Sequence, residues 1–157
     1  MAIRTLRMDE DPVLRKPCRP IAQVDERIHT LLEDMGDTLR AAGNGAAIAA
    51  CQIGVLRRAV VIDWEGELIH LVNPVILEAE GEQECLEGCL SFPGRWGRTI
   101  RPQRVRVQAL NERGEPFTLE GEGLLAQCLS HELDHLDGIV FTQRVTHWLS
   151  EKELQSL

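Results

Sequence analysis

The chain has 157 residues, 43% hydrophobic and 27% charged, the make-up of one globular domain with room for a proper core. Its formal charge of −8 argues against nucleic acid or an anionic membrane surface as a general partner. No stretch could span a bilayer, residues 1–20 lack a signal-peptide core, and five cysteines without a Cys-x-x-Cys pair do not make a disulfide framework; the expected compartment is the cytoplasm.

In chain order, the arm from Met8 to Pro17 carries prolines that forbid a helix interior, and it reads as an extended strap. From Asp25 to Ala42, Ile28, Leu31, Leu32, Met35 and Leu39 recur at helical spacing. Asp25 can cap that helix and Gly43 can end it. His29 on this helix reads as a surface or boundary residue. Next, Gly43 to Val55 is a run of small residues. Small residues let two backbones pack closely, or they leave room for an extended peptide, with Gln52 offering an amide that can donate to a carbonyl oxygen.

Strands are expected at Ala59–Asp63, Leu68–Val72 and Val75–Leu77, with turns at Glu65-Gly66 and Asn73-Pro74. His70 alternates within a strand as a boundary histidine. Residues 81–102 read as a long irregular loop centred on Glu87-Gly88-Cys89-Leu90-Ser91-Phe92-Pro93-Gly94, and long loops in small domains tend to be functional. Val105, Val107 and Ala109 alternate with polar residues, and the turn Asn111–Gly114 returns the chain to Phe117–Leu119. Leu125, Leu129, Leu133 and Leu136 give the next helix, from Leu124 to Leu136, a buried side. A short helix over His147–Leu157 closes the chain.

The helix 124–136 carries the chemistry. His131 and His135 are one turn apart, with Cβ atoms about 5–6 Å from each other. Both imidazoles can therefore reach one ion at about 2.0–2.1 Å. Glu132, next to the first histidine, can stand beside that ion as a general base. The bland alternative is a solvated helix face with two surface histidines, and the buried leucine side argues against it. Two histidines alone make no catalytic centre. The extended metalloprotease pattern fails because Phe141 stands where it needs a third histidine, and Glu151 and Glu153 lie in a short tail. The third ligand is expected upstream.

Three ordered stretches resemble the peptide deformylase family: Gly45-Ala46-Ala47-Ile48-Ala49-Ala50-Cys51-Gln52, Glu87-Gly88-Cys89-Leu90-Ser91, and Ser130-His131-Glu132-Leu133-Asp134-His135-Leu136. The strap around Asp11–Arg15 and the Asn73-Pro74 pair also look like that family. The resemblance implies that Cys89 binds metal with His131 and His135, and that Glu132 moves the proton. It implies that Gln52 and the backbone N–H of Leu90 meet the oxyanion, and that Gly45, Ala47 and Ile48 hold the peptide main chain. It further implies Fe2+, replaceable by Zn2+, Ni2+ or Co2+, in a hydrolase that removes the formyl group from the formyl-methionine of new polypeptides. N-formylated nascent chains are the implied partners, with the ribosome exit region a further candidate.

The expected fold is α+β, antiparallel strands packed around the histidine-bearing helix, with residues 1–157 forming one catalytic domain. Two residues depart from the family pattern: Ala47 replaces a glycine and Ser130 a glutamine. They leave open a deformylase-like hydrolase acting on another formylated amine, or a weakly active metal-binding relative. Cys85 matches no ligand position.

Overall fold

The computed structural model describes residues 2–157. Helix α1 (Glu26–Ala42) starts where Asp25 accepts hydrogen bonds from the N–H groups of Arg27 and Ile28, and ends at Gly43 with φ 76°. Strand β1 (Ala47–Ala49) leads into a 3-10 turn at Ala50–Ile53. Then come β2 (Ala59–Trp64), β3 (Glu67–Glu80), β4 (Gln83–Cys89), β5 (Phe92–Arg101), β6 (Arg104–Leu110) and β7 (Pro116–Glu122). Helix α2 (Leu124–Leu136), the two-residue strand β8 (His147–Trp148) and helix α3 (Glu151–Gln155) complete the chain. The strands form one sheet in the order β1-β2-β3-β6-β7 and a smaller one in the order β4-β5-β8, with antiparallel pairing throughout.

Two apolar clusters flank the first strands, and side-chain alternation assigns residues between them. Ala47, Ala49, Val60 and Ile62 join the cluster built on α2. Ile48, Ala59 and Val61 join the one built on α1. Strand β2 is thus buried on both faces, which is why it reads as a continuous apolar run. In β6, Val105, Val107 and Ala109 face the α2 cluster, while Arg104, Arg106 and Gln108 take the other side and Leu110 packs against the α1 cluster. This is the α+β arrangement expected, with α2 enclosed by strands.

Four expectations are corrected. The strap contains a 3-10 turn at Pro12–Arg15, because Pro12 opens it, where a missing N–H costs nothing, and Asp11 caps it from outside. Its Leu14 is wholly buried. Asn73-Pro74 makes no turn: β3 runs through it with a register shift between Val72 and Val75. Asn73, at φ 51°, accepts from the Ile21 N–H and donates to the Ile21 carbonyl, both at 2.8 Å, so the bulge is tied to the N-terminal arm. Residues 81–102 form the β4–β5 hairpin, not an irregular loop. The inward positions of that hairpin include Glu87, Thr99 and Arg101, so no hydrophobic alternation marks it. Finally, the closing helix is only α3; His147 and Trp148 pair with Arg98 and Gly97 of β5 instead.

The N-terminal arm fastens the elements that surround α2. The Arg7 N–H donates to the Gln52 carbonyl at 2.7 Å, and the Asp9 N–H to the Ser91 carbonyl at 2.9 Å. Past the end of α2, Gly138 has φ 76°, and a Cβ there would meet the Arg15 carbonyl oxygen at 2.7 Å. Only glycine accommodates both the left-handed backbone and the passing strap.

Candidate metal centre

Helix α2 presents His131 and His135 on one face, and the end of β4 brings Cys89 over them. One ligand atom from each of the three residues lies within 4.8 Å of the others. Cys89 Sγ is 3.4 Å from His135 Nε2. The imidazole rings stand edge to face, 5.0 Å between centroids.

A buried polar network holds His131. Its Nδ1 lies 2.6 Å from Glu87 Oε2. Glu87 accepts from Thr99 Oγ1 at 2.8 Å, and from Arg101 through Nε at 3.0 Å and through the terminal nitrogen at 2.5 Å. The other arm of Arg101 donates to Asp134 at 2.7 Å, and Asp134 also accepts two hydrogen bonds from Arg144. Glu87 and Arg101 are 1% and 4% exposed, so this pair is desolvated and held by full hydrogen bonding. Burial alone would raise the Glu87 carboxyl, but the bonds from His131 and Arg101 outweigh it and hold it at about 2. None of these supporting partners was foreseen from the sequence. No local signal pointed to them, because the segment that carries Glu87 and Arg101 shows no apolar alternation, and the register is irregular between Glu87 and Cys89.

Glu132 is also buried, and its Oε1 has no hydrogen-bond partner among the described residues. Its Oε2 is 3.8 Å from His131 Nε2. Burial pushes the carboxyl up to about 7, with the nearby His131 opposing the shift and Glu87 adding to it. Burial and the His131 charge push His135 down, whereas His131 is raised, burial being outweighed by Glu132, Cys89 and Glu87. Gln52 accepts from the Ala49 N–H at 2.9 Å and donates to Ser91 Oγ at 3.2 Å and to Cys89 Sγ at 3.6 Å.

A cavity of about 480 Å³ opens above this cluster, and Cys89, Leu90, His131 and Glu132 line it. Its walls include the apolar Leu86, Phe92, Trp96 and Leu124. Gly45 and Ala47 line it as well; Ile48 does not, its side chain being wholly buried against α1. A Cβ on Gly45 would meet the Leu90 side chain at 2.7 Å, so close packing and an open wall occur in the same segment. Residues of β5 and α2 complete the walls, and two of the lining strands, β1 and β4, are each the outermost strand of their sheet. The Asp63 N–H donates to the Ala46 carbonyl at 2.8 Å, so alternation turns the backbone groups of Ala46 and Ile48 toward β2 and those of Gly45 and Ala47 outward. Cys85 is buried away from the ligand set, and His29 and His70 both contact Glu112 on the far side.

The donor set suits a divalent transition ion. One sulfur and two imidazoles leave a position open, His131 is oriented from behind by a carboxylate, and a buried carboxylate oxygen stands unpartnered beside them. Such a centre, under a cavity walled by two strand edges, defines a metal-dependent hydrolase of the α+β class. The model of the polypeptide deformylase family matches residues 3–151. The chain is 54% identical over 149 residues to peptide deformylase 2 of Clostridium acetobutylicum, covering 95% of this chain and 99% of that one. It is 53% identical over 155 residues to the peptide deformylase of Acetivibrio thermocellus, covering 99% and 91%. Its fold matches the crystal structure of a peptide deformylase from Legionella pneumophila with a TM-score of 0.89 and 44% identity, over 99% of this chain and 90% of that chain. The chain belongs to the polypeptide deformylase family.

Proposed function

We propose that this protein removes the N-formyl group from the formyl-methionine of newly made polypeptides and releases formate, with residues 1–157 acting as one catalytic domain. The observation that carries the proposal is the meeting of Cys89, His131 and His135 beside the buried Glu132, under a peptide-sized cavity. Cys89, His131 and His135 would hold a divalent ion. Fe2+ is the ion we propose, with Zn2+, Ni2+ or Co2+ able to replace it, since a thiolate with two imidazoles suits all four. When bound, such an ion supplies Lewis acidity and lowers the pKa of water toward about 7.

The chain's own residues do the rest. Glu132 takes the proton of the attacking water and delivers it to the leaving amine. Its buried, unpartnered Oε1 suits a group that takes up a proton and passes it on. The Gln52 amide, on releasing one of its hydrogen bonds to Ser91 or Cys89, and the Leu90 N–H stabilise the oxyanion; losing one donor of this kind typically costs about 10²–10³ in rate. The outward backbone groups of Gly45 and Ala47 take up the substrate main chain as an added strand. The apolar wall formed by Leu86, Phe92, Trp96 and Leu124 receives the methionine side chain.

Nascent N-formylated chains first become available at the ribosome exit region, and we propose the cytoplasm as the place of action. Among the described residues no helix is long and apolar enough to cross a membrane. The test is to load the protein with iron under anaerobic conditions and incubate it with a formyl-methionine peptide. Formate release with the peptide bonds intact is expected. Internal cleavage, or bound metal with no formate, overturns the proposal.

A further inference from the structure

The two histidines are braced from behind by different chemistry. His131 Nδ1 meets the Glu87 carboxylate at 2.6 Å. His135 Nδ1 instead meets the sulfur of Cys51 at 3.9 Å. Cys51 is wholly buried on the 3-10 turn Ala50–Ile53, and its thiol also donates to the His135 carbonyl at 3.7 Å. One sulfur thus touches both the ring and the backbone of the same residue. On the other side of that ring, Nε2 faces Cys89 Sγ at 3.4 Å, so Nδ1 is the outer nitrogen and carries the proton whenever Nε2 ligates.

We propose that Cys51 is a positioning residue for His135: its sulfur accepts the Nδ1–H and fixes the rotation and tautomer of the ring, so that Nε2 stays aimed at Cys89. This rests on the metal-binding reading above. The outer nitrogen of a ligating histidine usually meets a carboxylate, a carbonyl or water. Sulfur is a weaker acceptor, so His135 is held more loosely and is less basic than its carboxylate-braced neighbour. The next residue along the turn, Gln52, donates to Cys89 Sγ at 3.6 Å. Two adjacent side chains of one short turn therefore brace two of the three ligands, and that turn is pinned by the hydrogen bond from the Arg7 N–H to the Gln52 carbonyl.

The test compares wild type, Cys51→Ala and Cys51→Ser, each first shown to melt cooperatively as apoprotein. Co2+ is titrated anaerobically against a chromophoric chelator, and its visible spectrum is recorded. Alanine should weaken Co2+ binding by about 10–100-fold, the usual effect of losing an outer partner, and should shift the spectrum. Serine, which can still accept the Nδ1–H, should recover most of that loss. Serine also refills part of the sulfur's space, so the hydrogen bond is separated from packing by the Co2+ spectrum, which reports the ligand set at the ion and which a change of packing with His135 still correctly turned would leave unmoved. Equal binding by all three proteins, or serine as weak as alanine, overturns the inference. Failure of the wild type to take up one equivalent of Co2+ overturns instead the metal-binding reading beneath it.

Discussion

Glu132 is the residue on which the chemistry turns, and its surroundings explain why. Its carboxyl has been taken out of water without being given a full set of partners, which raises its proton affinity toward neutrality. Glu132→Gln should bind metal like the wild type but lose about 10²–10⁴-fold in kcat, the range for removing a positioned acid–base group. Steady-state rates with metal analysis of the same samples check this. Ala47 lies on the α2 side of β1, where its methyl group lines the cavity. Ala47→Gly should therefore raise kcat/KM on formyl-methionine peptides while lowering stability by about 0.5–1 kcal/mol from added chain freedom; an unchanged or lower kcat/KM contradicts the idea that this methyl crowds the substrate. The two histidines and Glu132 were legible because one helix sets their spacing. Cys89 could be placed only through resemblance, since nothing local connects β4 with α2. Glu87 and Arg101 stayed hidden because a buried ion pair looks in sequence like two surface charges.

At the scale of elements, the β4–β5 hairpin supplies both a ligand and its support. Cys89 ends β4, and the inward residues Glu87, Thr99 and Arg101 lock His131 from behind. A hairpin whose inner face is polar shows no apolar alternation, so residues 81–102 read as a loop although they are regular structure. The same logic explains β3, which looked broken at Asn73-Pro74 because the partner that satisfies Asn73 is Ile21, 52 residues away. Helices α1 and α2, by contrast, bury apolar faces with ordinary periodicity, and their limits followed directly. Arg101→Ala should be severe, because it strands the buried Glu87 carboxylate and frees one side of Asp134. Breaking a buried pair from one side costs about 3–5 kcal/mol. Urea unfolding checks that figure, and a loss below 1 kcal/mol would show that the network contributes little to holding the hairpin.

Across the whole molecule, two sheets and a strap hold three distant pieces of chain at one point. The five-stranded sheet ends in the outward edge of β1, the smaller sheet in the outward edge of β4, and α2 closes the floor between them. The strap then fastens the Gln52 turn, Ser91 and the end of α2 together, through hydrogen bonds from Arg7, Asp9 and Cys18. Catalysis would therefore depend on rigidity that no single element possesses. X-ray absorption of the metal-loaded protein tests this convergence most directly. One sulfur at about 2.3 Å and two imidazole nitrogens at about 2.0–2.1 Å, with the sulfur lost in Cys89→Ser, is the predicted result. A coordination shell without sulfur, or one unchanged by that substitution, would contradict it.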